Sequence, residues 1–202
     1  MNNYEYIIAS LPLIKLDERA GGSVDASCVI EEIRSQLSDR DDRMMELLLE
    51  SYNPDKLDAS LYRRAFKSPS SFLRSHFLFD LQLRNTRVEY LNAALGRPEG
   101  KDTLILEELE DRDFEQKEEV EAVLAGNDII ARERGLDLLM WKHIEESTVH
   151  DFFDIDAILA FTAKLKIIDR WAKLDPQTGA ELFRRMVTDI RATYDNNSSL
   201  IL

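Results

Sequence analysis

PSSFLRSHFLFDLQLRNTRVEYLNAAL, residues Pro69 to Leu95, is the stretch that decides the fold. Its apolar residues recur at spacings of three and four, the period of an α-helix. Leu73, Phe77, Leu81, Val88, Leu91 and Leu95 fall on one stripe, and Phe72, Phe79, Leu83 and Tyr90 lie near a second. A helix that is apolar on two sides must be covered on two sides, so this one belongs at the centre of the molecule. At 1.5 Å per residue it would be about 40 Å long. Gly96 follows it, where a helix end favours a residue that tolerates the left-handed conformation.

Working outward, the same punctuation repeats. Asn53-Pro54, Ser68-Pro69 and Asp175-Pro176 each pair a capping side chain with proline at a first helical position, where the missing N–H is not needed. Gly126 marks another helix end, while Gly135 and Gly179 fall inside helical patterns. The spacing predicts further helices over Val24 to Leu37, Asp41 to Ser51, Pro54 to Phe66, Leu104 to Ala125 with a break near Asp111, Asp128 to Glu146, Ile155 to Leu174 and Pro176 to Tyr194. In the Ile155 to Leu174 segment, Ile155, Ile158, Leu159, Thr162, Leu165 and Ile168 form the apolar stripe, and Asp156, Lys164, Lys166 and Lys173 mostly lie away from it. Tyr4 to Leu11 is the exception, since its β-branched and aromatic content suits an edge strand or extended arm that stops at Pro12. Gly21-Gly22 reads as a hinge and Asp195 to Ser199 as a polar tail. The fold class is therefore all-α: a compact bundle of about eight helices with one long central helix and a short extended N-terminal segment. Residues 1–202 read as a single helical domain, with a division into two helical subdomains near 96–103 as the alternative. No period of the solenoid kind runs through the chain.

The bulk numbers limit the function. A 202-residue chain with 44% apolar residues can bury a core without staples. The formal net charge of -13 opposes a phosphate backbone, so nucleic acid is not an expected partner. The longest apolar runs, Leu138 to Trp141 and Ala157 to Phe161, fall far short of the roughly 20 residues a spanning helix needs. Neither direct membrane insertion nor a polybasic lipid anchor is expected. Cys28 stands alone, which excludes an internal disulfide, fits the cytoplasm and reads as a small buried hydrophobe, with a reactive thiol as the alternative. Charge is uneven: Glu107 to Glu121 holds nine acids against Arg112 and Lys117, whereas Lys164, Lys166, Arg170, Lys173, Arg184, Arg185 and Arg191 make the last two helices basic. Such faces are either solvated surfaces or docking surfaces for two partners.

Catalytic signals are weak. Neither a Walker loop nor a dinucleotide fingerprint occurs, and the serines sit at helix starts or in the tail. No cofactor and no small-molecule substrate is expected. His143, Glu146 and His150 have the spacing of a metal set on one continuous helix, but Ser147, Thr148 and Val149 weaken that helix, and Asp154 is placed to cap the next one. His150 then falls in the connection. His76, Asp80 and Arg84 run at four-residue spacing along the long helix, a ladder of helix pairs or a partner-binding stripe. Arg84, Asn85 and Arg87 in a helix this apolar need partners, and together with Arg184 and Arg185 they form the candidate partner interface. Trp141, Trp171 and the methionines read as core, with Met44-Met45 as an adaptable contact surface in the alternative.

Three stretches carry a family likeness: Tyr4 to Pro12, YEYIIASLP; Leu81 to Gly96, LQLRNTRVEYLNAALG; and Asp151 to Leu174, DFFDIDAILAFTAKLKIIDRWAKL, followed by DPQTGAELFRRMV. They resemble a family of small proteins encoded in bacterial V-type ATPase operons, which take the place of the C subunit, called d in the eukaryotic enzyme. The resemblance implies a helical, funnel-like subunit that sits on the membrane rotor ring and receives the foot of the central stalk. It implies no catalytic residues, because nucleotide chemistry and proton passage belong to other subunits. The usual C subunit is longer, with three similar helical portions, so the docking surface does not carry over. The expectation is a non-catalytic coupling subunit of a V/A-type rotary ATPase whose partners are the central stalk and the rotor ring. Its expected place is cytoplasmic, at the inner face of the cell membrane through that complex. A metal-dependent helical enzyme using His143, Glu146 and His150, or a generic helical adaptor, are the alternatives.

Overall fold

Amide hydrogens in the first turn of a helix lack intrahelical partners, and short polar side chains in this chain supply them. The structure, a computed structural model, describes residues 4–16, 25–106, 113–151 and 153–174. Among these residues it forms eight α-helices and no strand. The first helix, α1 (Glu5–Ser10), is followed by α2 (Ala26–Gln36), where Asp25 accepts from the amides of Ser27 and Cys28. Ser38 caps α3 (Asp39–Glu50). After a 3₁₀ turn at Pro54–Lys56, capped by Asn53, Asp58 caps α4 (Ala59–Phe66). The long helix is α5 (Ser71–Ala94), and α6 (Lys117–Leu124), α7 (Ile129–Ser147) and α8 (Ile155–Ala172) complete the order. Asp128 and Asp154 cap the last two.

Two cores share α5. The larger takes Met45 and Leu48 from α3, Leu61 and Tyr62 from α4, Phe72, Leu73, Phe77 and Leu81 from α5, Ile144 from α7, and Ile158 and Leu159 from α8. The smaller joins Phe79 and Leu83 of α5 to Val120 and Leu124 of α6 and Leu136 of α7. Met140 packs against both. Gly135 explains its mid-helix position here, because a Cβ would stand 2.6 Å from Cγ1 of Val123. Only the absence of a side chain lets α7 approach α6 this closely.

Several expectations change. Tyr4 to Leu11 is not extended: Glu5–Ser10 is helical, and the Tyr4 hydroxyl donates to Asp41 at 2.5 Å while its amide donates to the Phe153 carbonyl at 2.8 Å. These tertiary anchors override a β propensity that depends on context. Pro54 to Phe66 divides at Leu57-Asp58 because Asp58 caps a new helix. The cap of α5 is Ser70, two residues past Ser68, whose hydroxyl instead accepts from the Ser70 amide. Leu104 to Leu106 is irregular rather than helical, since both backbone groups of Leu104 bond to the Asn85 side chain at 2.9 and 3.0 Å. Cys28 is exposed, on the outer face of α2. Leu91 and Leu95, placed on the buried stripe by their spacing, are 46% and 62% exposed. Met44 and Met45 are core. The hinge at Gly21-Gly22, the helix Pro176 to Tyr194, the tail, and the break near Asp111 lie outside the described residues.

Asp156 departs furthest from its expected solvent position. It is buried, and its two oxygens accept from the hydroxyl of Ser70, the amide and hydroxyl of Ser71 and the amide of Phe72, at 2.5 to 3.1 Å. A carboxylate on α8 thus supplements the Ser70 cap and meets the positive end of the α5 dipole.

Candidate functional site

α5 leaves the large core at Leu81, and beyond it the side chains on one face become charged. Arg84 and Arg87 stand one turn apart and face a cleft of about 710 Å³ whose other walls come from α7 and α8. Leu83, Val88, Leu136, Met140 and Ile167 supply its apolar surface. Lys166, Arg170 and Lys173 enter from α8 at helical spacing, and Tyr52 lies at the edge with the Lys166 ammonium 5.6 Å from its ring centre.

Every cation here meets a carboxylate. Arg84 donates to Asp80 at 2.8 Å, and the Tyr62 hydroxyl donates to the same oxygen at 2.7 Å. Burial works against the Arg84 charge, but Asp80 beside it keeps its pKa above the ordinary value. Burial also pushes the Tyr62 phenol up, and Asp80 adds to that rise. Arg87 binds Glu133 at 2.7 Å, and Arg170 reaches the other oxygen of Glu133 at 3.8 Å, so one α7 carboxylate ties α5 to α8. Asp137 accepts from both Arg170 and the Trp171 indole. Its carboxyl sits above the usual range because burial outweighs those two partners. Lys173 and Lys166 share Asp169 at 2.7 and 3.7 Å.

The arrangement is layered. The side chains of Asp80, Asp137, Asp169 and Glu133 are only 12–29% exposed, whereas those of Arg84, Arg87, Arg170 and Lys173 are 46–67% exposed. Four of the cations form a rim outside the recessed carboxylates, and Lys166, 25% exposed, lies at the depth of the acids. An otherwise acidic chain therefore presents a positive edge over a partly apolar floor.

The structure brings Arg84 and Arg87 of the candidate interface together in this cleft and separates Asn85 from them, committed to the Leu104 backbone. Arg184 and Arg185 lie outside the described residues. The three metal-set residues do not converge. The His143 ring stacks on Phe79 at 4.2 Å and its Nε2 lies 3.2 Å from the Ser75 hydroxyl, Glu146 faces Lys142 at 3.9 Å, and α7 ends at Ser147 before exposed His150. Among the described residues no three His, Cys, Asp or Glu side chains are grouped to hold a metal ion. His76 does not extend the Asp80–Arg84 pair toward the cleft. It is buried with Nδ1 unpaired, stacked on Phe72 and edge-on to Phe77, and burial pulls its pKa down to about 4.

Lys166, Arg170 and Lys173 were visible only as a basic bias, and the acids Glu133, Asp137 and Asp169 carried no separate signal. Their spacing of three and four on two amphipathic helices was the available clue, but which helices face each other is a tertiary fact.

A helical bundle with a charged cleft defines a class, and comparison with known proteins assigns a family. A family described as protein of unknown function (DUF2764) matches residues 52–193, and the chain belongs to it. Every residue lining the cleft lies within that match. No curated protein and no solved structure matches the chain. Among the described residues no helix is long and apolar enough to cross a membrane.

Proposed function

We propose that this protein is a non-catalytic coupling subunit of a V/A-type rotary ATPase, joining the central stalk to the membrane rotor ring from the cytoplasmic side. Support for the ATPase comes from the likeness of Tyr4 to Pro12, Leu81 to Gly96 and Asp151 to Leu174 to the small operon-encoded proteins that take the place of the C subunit. The observation that carries the coupling role is α5 itself. It is one helix of 24 residues, fixed at its start by Ser70 and Asp156 inside the large core and lined at its other end by the cation-rimmed cleft. At 1.5 Å per residue it spans about 36 Å, long enough to carry load from a packed body to a docking face without a hinge.

Affinity-tagged protein recovered from its own cells tests this reading. Rotary ATPase subunits should accompany it in the membrane fraction and leave with it when the peripheral sector is stripped. Recovery as a free monomer from cells that assemble such an ATPase contradicts the proposal. Recovery with a different, reproducible set of proteins makes it an adaptor outside any ATPase.

A further inference from the structure

Charge and spacing in the cleft select a kind of partner. On α5, Arg84 and Arg87 are three residues apart; on α8, Lys166, Arg170 and Lys173 are separated by four and three. Each row therefore repeats at about one helical turn, near 5–6 Å. Arg87 reaches Glu133 through Nη2 alone and Arg84 reaches Asp80 through Nε, which leaves guanidinium donors unspent at the exposed rim. Between the rows lie Leu83, Val88, Leu136, Met140 and Ile167. A small anion could take the unspent donors but would leave this apolar floor uncovered. A helix with carboxylates every three or four residues and an apolar face would meet both rows and the floor at once.

We infer that the cleft between α5, α7 and α8 is the docking site for an acidic amphipathic helix of a partner protein. The inference rests on the binding role proposed above and names the chemistry of what is bound. The partner's glutamates or aspartates take the unspent donors of Arg84, Arg87, Arg170 and Lys173. Its apolar residues cover the floor. Complementary charge makes association fast and salt-sensitive, while the apolar floor supplies the part of the affinity that salt does not remove.

The full chain is titrated into a fluorescein-labelled helical peptide of about fifteen residues, roughly four turns, with Glu spaced three and four apart and Leu on the opposite face. Saturable binding that weakens as salt rises is expected, and the same peptide with Lys in place of Glu should not bind. Arg87→Glu combined with Lys173→Glu should weaken binding at least about tenfold. Arg87 and Lys173 are themselves exposed while Glu133 and Asp169 opposite them are recessed, so the reversal should keep helix content and lower the melting temperature by only a few degrees. If the double variant does not fold, Arg87→Gln and Lys173→Gln are read singly, each expected to weaken binding in the same direction. Absence of binding, equal binding of the basic peptide, or unchanged binding by folded variants overturns the inference. So does binding of phosphatidylserine vesicles in place of the peptide. If tagged protein still recovers ATPase subunits while these substitutions change nothing, the cleft inference fails and the coupling role stands. If the peptide binds as described and no ATPase subunit is recovered, the coupling role fails and the cleft assignment stands.

Discussion

The two halves of α5 carry apolar residues at the same spacing, yet they meet different surroundings. From Phe72 to Leu81 the helix is enclosed: Phe72, Leu73 and Phe77 are fully buried, His76 is held between aromatic rings, and the start is capped by Ser70 and Asp156. From Leu83 onward one side still packs on α6 and α7, but Arg84 and Arg87 line an open cleft and Leu91 and Leu95 face solvent. The first half holds the molecule together and the second half offers a surface. A long apolar stripe in a sequence therefore fixes that a helix is central, and the extent of its neighbours decides how far along it the centre reaches.

Removing core volume should separate the halves most. Phe77→Ala is expected to destabilise the fold by about 3–5 kcal/mol in urea denaturation, the range for emptying a fully buried aromatic site. A loss below 1 kcal/mol would mean that the first half is not the anchor.

Acid should act on the same half. His76 is neutral in the folded protein, with a pKa near 4 against about 6.5 when unfolded, and burial is the main cause. Asp80 raises this value, while His143 and Arg84 lower it. Between these two pKa values the unfolded chain binds more protons, so the stability that depends on neutral His76 is complete above pH 6.5 and is lost as the pH falls toward 4. The full effect is on the order of 3 kcal/mol. His76→Phe, which also removes an unpaired buried nitrogen, should flatten the stability profile across that window and leave pH 7 stability equal or higher. An unchanged slope would show that His76 is already charged or solvated in the native state.

Loss of the cross-helix cap comes next. Asp156→Ala should cost about 2–3 kcal/mol, since it strips charge-assisted bonds from Ser71 and Phe72 at the start of α5. Hydrogen exchange at those amides should rise ahead of exchange in α3, and uniform protection would argue that Ser70 alone holds the end. The smallest effect belongs to the second half: Leu91→Gln should change stability by no more than about 0.5 kcal/mol. A loss of 2 kcal/mol there would place Leu91 under cover and shorten the contrast.

Much of this architecture was legible in the residues. The period of three and four located α2, α3, α5, α7 and α8 to within a few positions, and Asn53 and Asp154 were readable as caps because their signal is local. Tyr4 to Leu11 misled, as anchoring by Asp41 and Phe153 is invisible in a window of eight residues. Asp156 was misplaced for the same reason: its partners lie 84 to 86 positions away. In the cleft, Arg84 and Arg87 stood out because charge is conspicuous in an apolar helix. Asn85, between them, turned the other way to hold the Leu104 backbone. Glu133 and Asp137 became meaningful only once α7 was seen beside both basic rows.

The contrast between an anchoring half and a docking half of α5 is tested most directly on Arg87→Glu combined with Lys173→Glu, by measuring melting temperature and partner recovery on the same tagged protein. The double variant should stay folded and melt no more than a few degrees below wild type, because both substituted side chains are exposed at the rim, and it should lose the partners that the wild-type protein retains. A folded double variant that retains every partner would contradict that contrast, and the cleft would then be a solvated seam between helices.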